Sequence, residues 1–135
     1  MTETRQYKAF ISYSHADAAH AAWLQRALER YRIPKALRRS RPTLPARLHP
    51  IFRDTDELAS STDLSVSIQR AMDDSDALIV ICSPAARASR WVNEEIRRFR
   101  ASGRGDRIHC LIVSGSPDAA APDYAFPAAL LQDED

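Results

Sequence analysis

Two adjacent glutamates, Glu94 and Glu95, lie in a segment whose apolar periodicity predicts an amphipathic helix. Trp91 and Glu95 are spaced four residues apart beside the apolar stripe, so Glu95 is expected at the margin of the buried face. Glu94 points about 100° further round the helix, next to Arg90, as in a solvent-exposed ion pair. We therefore interpret Glu95 as the candidate for chemistry and Glu94 as surface charge. On the residues alone, an exposed Glu95 paired with Arg98 stays open as the alternative.

Four apolar segments alternate with helical patterns around these glutamates. Residues 77–82 are apolar at every position, as expected of a central parallel strand covered on both faces. The alternation predicts right-handed βαβ units and a parallel sheet with helices on both faces. The other strands are predicted at residues 9–11, 51–53 and 108–113. Three helices are predicted. The first runs from about Asp17, which can cap it, to before Pro34, and the second carries Leu64, Ile68 and Met72 on one face. The third runs from Ser83 to about Gly103.

Ligands of open parallel sheets bind outside the carboxyl ends of the strands, where the following loops meet. Hydroxyl groups, an aromatic ring and carboxylates are expected at this edge. They belong to Ser12, Tyr13, Ser14, Asp54, Ser83, Trp91 and Glu95. Structural alternatives stay open, because hydroxyls can cap helices, Asp54 can tie down its loop and Trp91 can cover the core.

The sequence lacks the residues that several other classes of α/β protein need for their chemistry. A response regulator needs acidic residues after the first strand and an aspartate after the third, where this chain has residues 12–14 and Ser83. A nucleophile elbow and a glycine-rich phosphate loop are absent, since the chain has three glycines and none before Gly103. The histidines and cysteines lack metal-ligand spacing, so we predict no metal site and interpret Cys82 and Cys110 as buried free thiols.

Composition limits the expected partners and compartment. With 135 residues and a formal net charge of +1, the chain predicts one domain and no general attraction to nucleic acid or to a membrane. The polar N-terminus, and the lack of 18 consecutive apolar residues, favour the cytoplasm. Residues 30–47, the basic segment, contain seven lysines and arginines, no acid and three prolines. We interpret this segment as a solvated, poorly ordered loop, with a phosphate-binding or partner-binding loop as the alternative.

Three motifs in order resemble those of TIR domains (Toll/interleukin-1 receptor type). Residues 10–14 with Asp17 resemble the first motif, and residues 52–58 resemble the strand and "BB loop" that follow it. Residues 83–95, with a tryptophan four residues before a glutamate, resemble the third. The resemblance covers about residues 7–115 and is strongest to the bacterial branch. The expected fold is a flavodoxin-like α/β fold, an open parallel sheet of order 2-1-3-4 whose fifth βα unit is not evident.

The resemblance implies an activity and a site. In enzymatically active TIR domains, the glutamate four residues after the tryptophan is catalytic in cleaving the nicotinamide–ribose bond of NAD⁺. Glu95 is then catalytic, NAD⁺ is the substrate, and no cofactor is implied. The product is ADP-ribose or a cyclic isomer, and self-association with other TIR domains, up to a filament, activates the domain in bacterial defence. The implied substrate-binding residues are Ser12, Tyr13, Ser14, Asp54, Leu58, Ser83 and Trp91.

Two other functions fit the same resemblance. One is a non-enzymatic interaction module that binds other TIR domains through the loop after the second strand. The other is a nucleoside-processing transferase of similar fold, which would also use a glutamate. The presence of Glu95 at its expected place favours the NAD⁺ hydrolase. The chain departs from the family where Ala59 follows Leu58, because a glycine is common there and alanine restricts the φ angles open to the loop.

The chain is expected to be a single TIR domain over residues 1–135. Its core is predicted at about residues 7–115. Residues 116–135 form a tail rich in proline, alanine and aspartate, with fragments of pattern at residues 124–126 and 128–131. We interpret the tail as a candidate junction to a further domain.

Overall fold

The structure is a computed structural model that describes residues 5–53 and 66–131. Its strands form one parallel sheet in the order β2-β1-β3-β4. The strands are β1 (Ala9–Ser12), β2 (Ile51–Arg53), β3 (Leu78–Cys82) and β4 (Ile108–Ile112). The predicted fold class and strand order are confirmed.

The predicted helices are present, one of them divided in two, and α2 is an addition. Leu64 of the predicted second helix lies outside the described residues. The predicted third helix is two helices separated at Ser89, whose backbone is extended and whose hydroxyl accepts a hydrogen bond from Val92 N–H at 3.2 Å. None of the helices within residues 5–53 and 66–131 is long and apolar enough to cross a bilayer. The α-helices are α1 (Ala18–Arg30), α2 (Lys35–Ser40), α3 (Val66–Asp73), α4 (Pro84–Ala88) and α5 (Arg90–Ala101). Short 3₁₀ helices span His15–Asp17, Gly105–Arg107 and Ala128–Leu131.

Two apolar layers cover the two faces of the sheet. On one face, the buried side chains of α1, Ala21 and Leu24, pack in a cluster with Ile11 of β1. On the other, α3 and α5 pack around Phe10 and Leu78. Burying one such large apolar side chain stabilises the fold by about 1.5–3 kcal/mol, so these layers hold α5 firmly against β1 and β3.

β3 has the burial expected of a central strand, with one partial exception. Leu78, Val80, Ile81 and Cys82 are fully buried, while Ile79 is half-buried. Ile79 faces the layer formed by α1, and its neighbours on β4 in that layer are also only partly covered. The physical reason is that α1 contacts β2 most extensively, so it shields the side chains of β3 and β4 less completely from solvent.

The basic segment is not the irregular loop that we expected. It contains α2 and an antiparallel bridge between Arg32 and Arg47, with a hydrogen bond from Ile33 N–H to the Ala46 carbonyl at 2.8 Å. The prediction fails at Pro34, which directly precedes the first residue of α2. At that position the missing N–H of proline removes no helical hydrogen bond.

Residues 116–131, which we call the C-terminal strap, follow β4. They form a parallel bridge between Ser116 and Tyr124 and the last 3₁₀ helix, and no fifth strand joins the sheet within the described residues. The side chains of Ala125 and Ala129 are buried in the layer that contains α5, and Pro127 between them is also fully buried. The strap therefore covers part of the core although it lacks a complete βα unit.

Candidate active site

Glu95 is buried at the carboxyl edge of the sheet. Its carboxylate oxygen Oε1 accepts a hydrogen bond from Ser12 Oγ at 2.7 Å, and only 7% of the residue is exposed. Ser12 is the last residue of β1, and Glu95 lies in the second turn of α5. The carboxylate is thus held between the central part of the sheet and the helix that follows β3.

The neighbouring Glu94 has a different environment. Its carboxylate pairs with Arg90 at 2.9 Å, and 29% of its side chain is exposed. Such exposed pairs, four residues apart on a helix, contribute only about 0.3–0.5 kcal/mol. The expected contrast between a surface glutamate and one at the buried face is present in the structure.

The start of α5 determines where Glu95 lies. The Ser89 hydroxyl caps the helix, and a capping serine stabilises a helix by about 1 kcal/mol. Val92, Ile96 and Phe99 are fully buried against the sheet, which fixes the rotation of the helix about its axis. Glu95 then faces Ser12 because it lies beside this apolar stripe.

Ser83 and Asp17 form a second buried pair at the same edge. The Ser83 hydroxyl donates to Asp17 Oδ2 at 2.5 Å and accepts from Ala86 N–H at 3.0 Å, so it caps α4 and holds Asp17. The prediction that Asp17 caps the first helix is wrong, because its side chain makes no capping hydrogen bond there. A buried carboxylate must be paired, and the hydroxyl of Ser83 supplies the partner.

The remaining predicted site residues lie around these two pairs. Tyr13 and Ser14 are half-buried in the turn after β1, and Tyr13 packs against the layer that contains α1. Trp91 is half-buried at the start of α5, with the Arg90 guanidinium 5.9 Å from its ring centre. Asp54 and Leu58 lie outside the described residues.

This edge of the sheet can orient a polar ligand and stabilise positive charge beside Glu95. The hydroxyls of Ser12 and Ser83 both donate to buried carboxylates, so the donors predicted for a ligand also have partners within the protein. Among residues 5–53 and 66–131, no three histidine, cysteine, aspartate or glutamate side chains converge in a way that could hold a metal ion.

Comparison with known proteins identifies the family. A model of the TIR domain family matches residues 9–132. The chain belongs to the TIR domain family. Over 111 residues it is 42% identical to the NAD(+) hydrolase ApTIR of Actinoplanes sp., a match that covers 82% of this chain and 14% of that relative. The chain therefore spans only a small part of the length of the relative.

The two thiols of this TIR domain differ from the expectation that both are buried. Cys82 on β3 is buried, but Cys110 on β4 is exposed because β4 is an edge strand. The hydrogen bond to Cys110, together with burial, raises the pKa of the Cys82 thiol. The same hydrogen bond lowers the pKa of the Cys110 thiol, since it stabilises the thiolate.

One buried polar residue near the site of this TIR domain had no predicted role. Asn93 lies two residues before Glu95 and makes three hydrogen bonds, one of them to a residue 36 positions later in the chain. The only signal in the sequence is an amide between Val92 and Glu94 in a helix that should expose its polar residues. Spacing along the chain could not identify the partner.

Proposed function

We propose that this TIR domain hydrolyses NAD⁺ and that Glu95 is its catalytic carboxylate. The observation that carries the proposal is a buried carboxylate, oriented by the Ser12 hydroxyl at the ligand-binding edge of the sheet. The relative that is 42% identical is named an NAD(+) hydrolase, which supports the same activity for this chain.

The reaction breaks the bond between the anomeric carbon of the ribose and the nicotinamide nitrogen. The electron pair of that bond goes to the positively charged nicotinamide ring, which leaves as a neutral molecule and needs no proton. The ribose becomes oxocarbenium-like, and the Glu95 carboxylate stabilises the positive charge and orients the ribose hydroxyls. Water then adds to the anomeric carbon and loses a proton to give ADP-ribose, or an internal nucleophile closes a cyclic isomer.

The side chains around Glu95 are proposed to bind NAD⁺. We assign substrate contacts to Tyr13, Ser14 and Trp91, which are half-buried at this edge. Ser12 and Ser83 are also assigned to the substrate site, and their hydrogen bonds to Glu95 and Asp17 would keep the carboxylates in place beneath the ligand. Asp54 and Leu58, which follow β2 in the sequence, complete the proposed set.

Assembly is proposed to activate the domain. Self-association with other TIR domains, up to a filament, would complete the site in a cytoplasmic defence role, with no cofactor beyond the NAD⁺ that is consumed. Nicotinamide release should then rise more steeply than linearly with protein concentration. Strict proportionality over a wide concentration range would contradict this part of the proposal.

The catalytic assignment is tested by Glu95→Gln with Glu94→Gln as the matched control. Loss of a charge that stabilises the transition state costs about 10²–10³ in rate, so Glu95→Gln should release almost no nicotinamide while it stays folded. Glu94→Gln removes the same charge one position away and should keep nearly full activity. If the two variants behave alike under crowded, assembled conditions, the catalytic assignment is wrong and a non-enzymatic interaction module becomes the better proposal.

A further inference from the structure

The helix that carries Glu95 is held from two sides. Glu95 bonds to Ser12 on one side, and Asn93, two residues earlier, faces the C-terminal strap on another. Two residues are about 200° apart on an α-helix, so the two side chains contact different parts of the protein. The position of α5 relative to β1 therefore depends on both contacts.

Both the oxygen and the nitrogen of the Asn93 side-chain amide make hydrogen bonds. Its Oδ1 accepts from Ala129 N–H at 2.9 Å, and its Nδ2 donates to the carbonyls of Ser89 at 2.9 Å and Arg87 at 3.3 Å. Those carbonyls lie at the junction of α4 and α5, where the chain turns toward Glu95. A single buried side chain thus ties the strap to the start of the catalytic helix.

The strap docks on α5 at two points along one stripe. Asn93 and Arg100 are seven residues apart and share a face of the helix. Arg100 donates to the carbonyls of Ala129 and Leu130, both at 3.1 Å. The N–H and the C=O of Ala129 are therefore both bonded to side chains of α5, which fixes the strap along the helix.

Gly115, the residue just before the strap, lies against Pro84 at the start of α4. A Cβ added at Gly115 would lie 2.5 Å from the Asp123 carbonyl oxygen and 2.9 Å from the Pro84 ring, so only glycine fits between them. Arg87 lies 5.3 Å from the ring centre of Tyr124. The strap consequently contacts α4 near Tyr124 and α5 near Ala129 and Leu130.

We propose that Asn93 is a positioning residue that couples docking of the C-terminal strap to the placement of Glu95. With the strap docked, Asn93 holds the junction of α4 and α5 and keeps Glu95 against Ser12. When the strap is released, the junction relaxes and the carboxylate moves out of line with the ribose. Whatever acts on the strap from the C-terminal side then changes the catalytic rate. The inference rests on the proposed function, because it requires Glu95 to be the catalytic carboxylate.

The test compares NAD⁺ cleavage by the full chain under crowded conditions for the variants Asn93→Ala, Arg100→Ala and the double variant. A displacement of about 1 Å can cost up to about 10²-fold, so Asn93→Ala should lower kcat by about 10- to 100-fold. KM should change by less than about threefold, because the substrate contacts remain. Arg100→Ala should lower kcat less, and the double variant should lose less than the product of the single losses, since both act through the strap.

Arg98→Ala is the matched control, because it removes an exposed ion pair with Asp73 from the same helix without touching the strap. It should retain the parent kcat. A merely structural Asn93 would lower the urea midpoint and leave kcat per folded molecule unchanged. That result overturns the proposal, as do losses that multiply in the double variant. If Asn93→Ala does not fold, Arg100→Ala decides: faster hydrogen exchange in the strap with a lowered kcat supports the proposal, and faster exchange with the parent kcat overturns it.

Failure of the proposed function gives a separate result. If the assembled parent protein does not cleave NAD⁺, the coupling is read from hydrogen exchange of the amides at residues 93–97. Faster exchange there in Arg100→Ala, which removes the hydrogen bonds to the Ala129 and Leu130 carbonyls and leaves the Asn93 side chain in place, supports the coupling. Unchanged exchange at residues 93–97, with faster exchange in the strap, overturns it.

Discussion

The C-terminal strap and the basic segment are both proline-containing connections outside the sheet, and they differ in how they meet the rest of the protein. Ala125, Pro127 and Ala129 of the strap are buried, and its backbone is bonded to side chains of α5. The basic segment forms its own short helix and bridge, and most of its cationic side chains are exposed. Only the strap is part of the core.

The difference follows from side-chain chemistry. Small apolar residues can fit against a helix at little entropic cost, whereas long cationic side chains lose hydration and rotamer freedom when buried. Among the described residues, the seven cations of the basic segment form no ion pair that would offset this cost. Changes in the strap should therefore affect stability strongly, and changes in the basic segment weakly.

The largest expected effect is that of a charge in the strap. Ala125 is fully buried, so Ala125→Asp would leave an unpaired carboxylate in the core and should lower the free energy of unfolding by about 3–5 kcal/mol. Urea unfolding followed by circular dichroism measures this. Ala36→Asp is the control, because Ala36 is exposed in α2 among cations and should change stability by less than about 0.5 kcal/mol. Equal losses of stability in Ala125→Asp and Ala36→Asp would show that the strap is no more a part of the core than the basic segment is.

A smaller effect is expected at the entry to the strap. Gly115 and Gly103 both have positive φ, at 86° and 84°, but only Gly115 has no room for a Cβ. Gly103→Ala should cost about 1–2 kcal/mol from its backbone conformation. Gly115→Ala should cost more in the same unfolding assay, because the Asp123 carbonyl must also move. Equal losses in the two variants would mean that the strap is not tightly held.

The same two regions show what could be predicted from the sequence. The strands were predictable because continuous apolar runs such as residues 77–82 are typical of buried strands. The position of Glu95 at the margin of the buried face was predictable from the apolar stripe beside it, whereas its catalytic role was implied only by the family resemblance. The strap and the Asn93 contact were not, since Asn93 and Ala129 are 36 residues apart and no local pattern relates them. The prediction for Asp17 failed for a similar reason. A local helix cap was expected, but the carboxylate accepts a hydrogen bond from Ser83, 66 residues away in the sequence.

Replacing residues 35–41 with a short Gly/Ser linker should have little effect on the thermal midpoint. The side chains of α2 contribute no buried residue, and changing the length of a flexible loop costs only about 0.6 kcal/mol for each doubling. Differential scanning calorimetry of the replaced chain measures the change. A loss as large as that of Gly115→Ala would show that the basic segment packs on the domain.

The smallest expected effect lies within α2. Lys35 and Arg39 are four residues apart on this helix, and like charges at that spacing destabilise it by about 0.2–0.5 kcal/mol. Lys35→Glu replaces the repulsion with an attractive pair and places an acid in the first turn, where the helix dipole favours it. The expected gain is about 0.5 kcal/mol, and Lys35→Gln should give about half of it because it removes the repulsion without adding a partner. Chemical unfolding at low ionic strength measures both variants, and added salt should reduce the gain as it screens exposed charges. A loss of stability in Lys35→Glu would mean that Lys35 faces an acidic partner, and the basic segment would then be docked in the same sense as the strap.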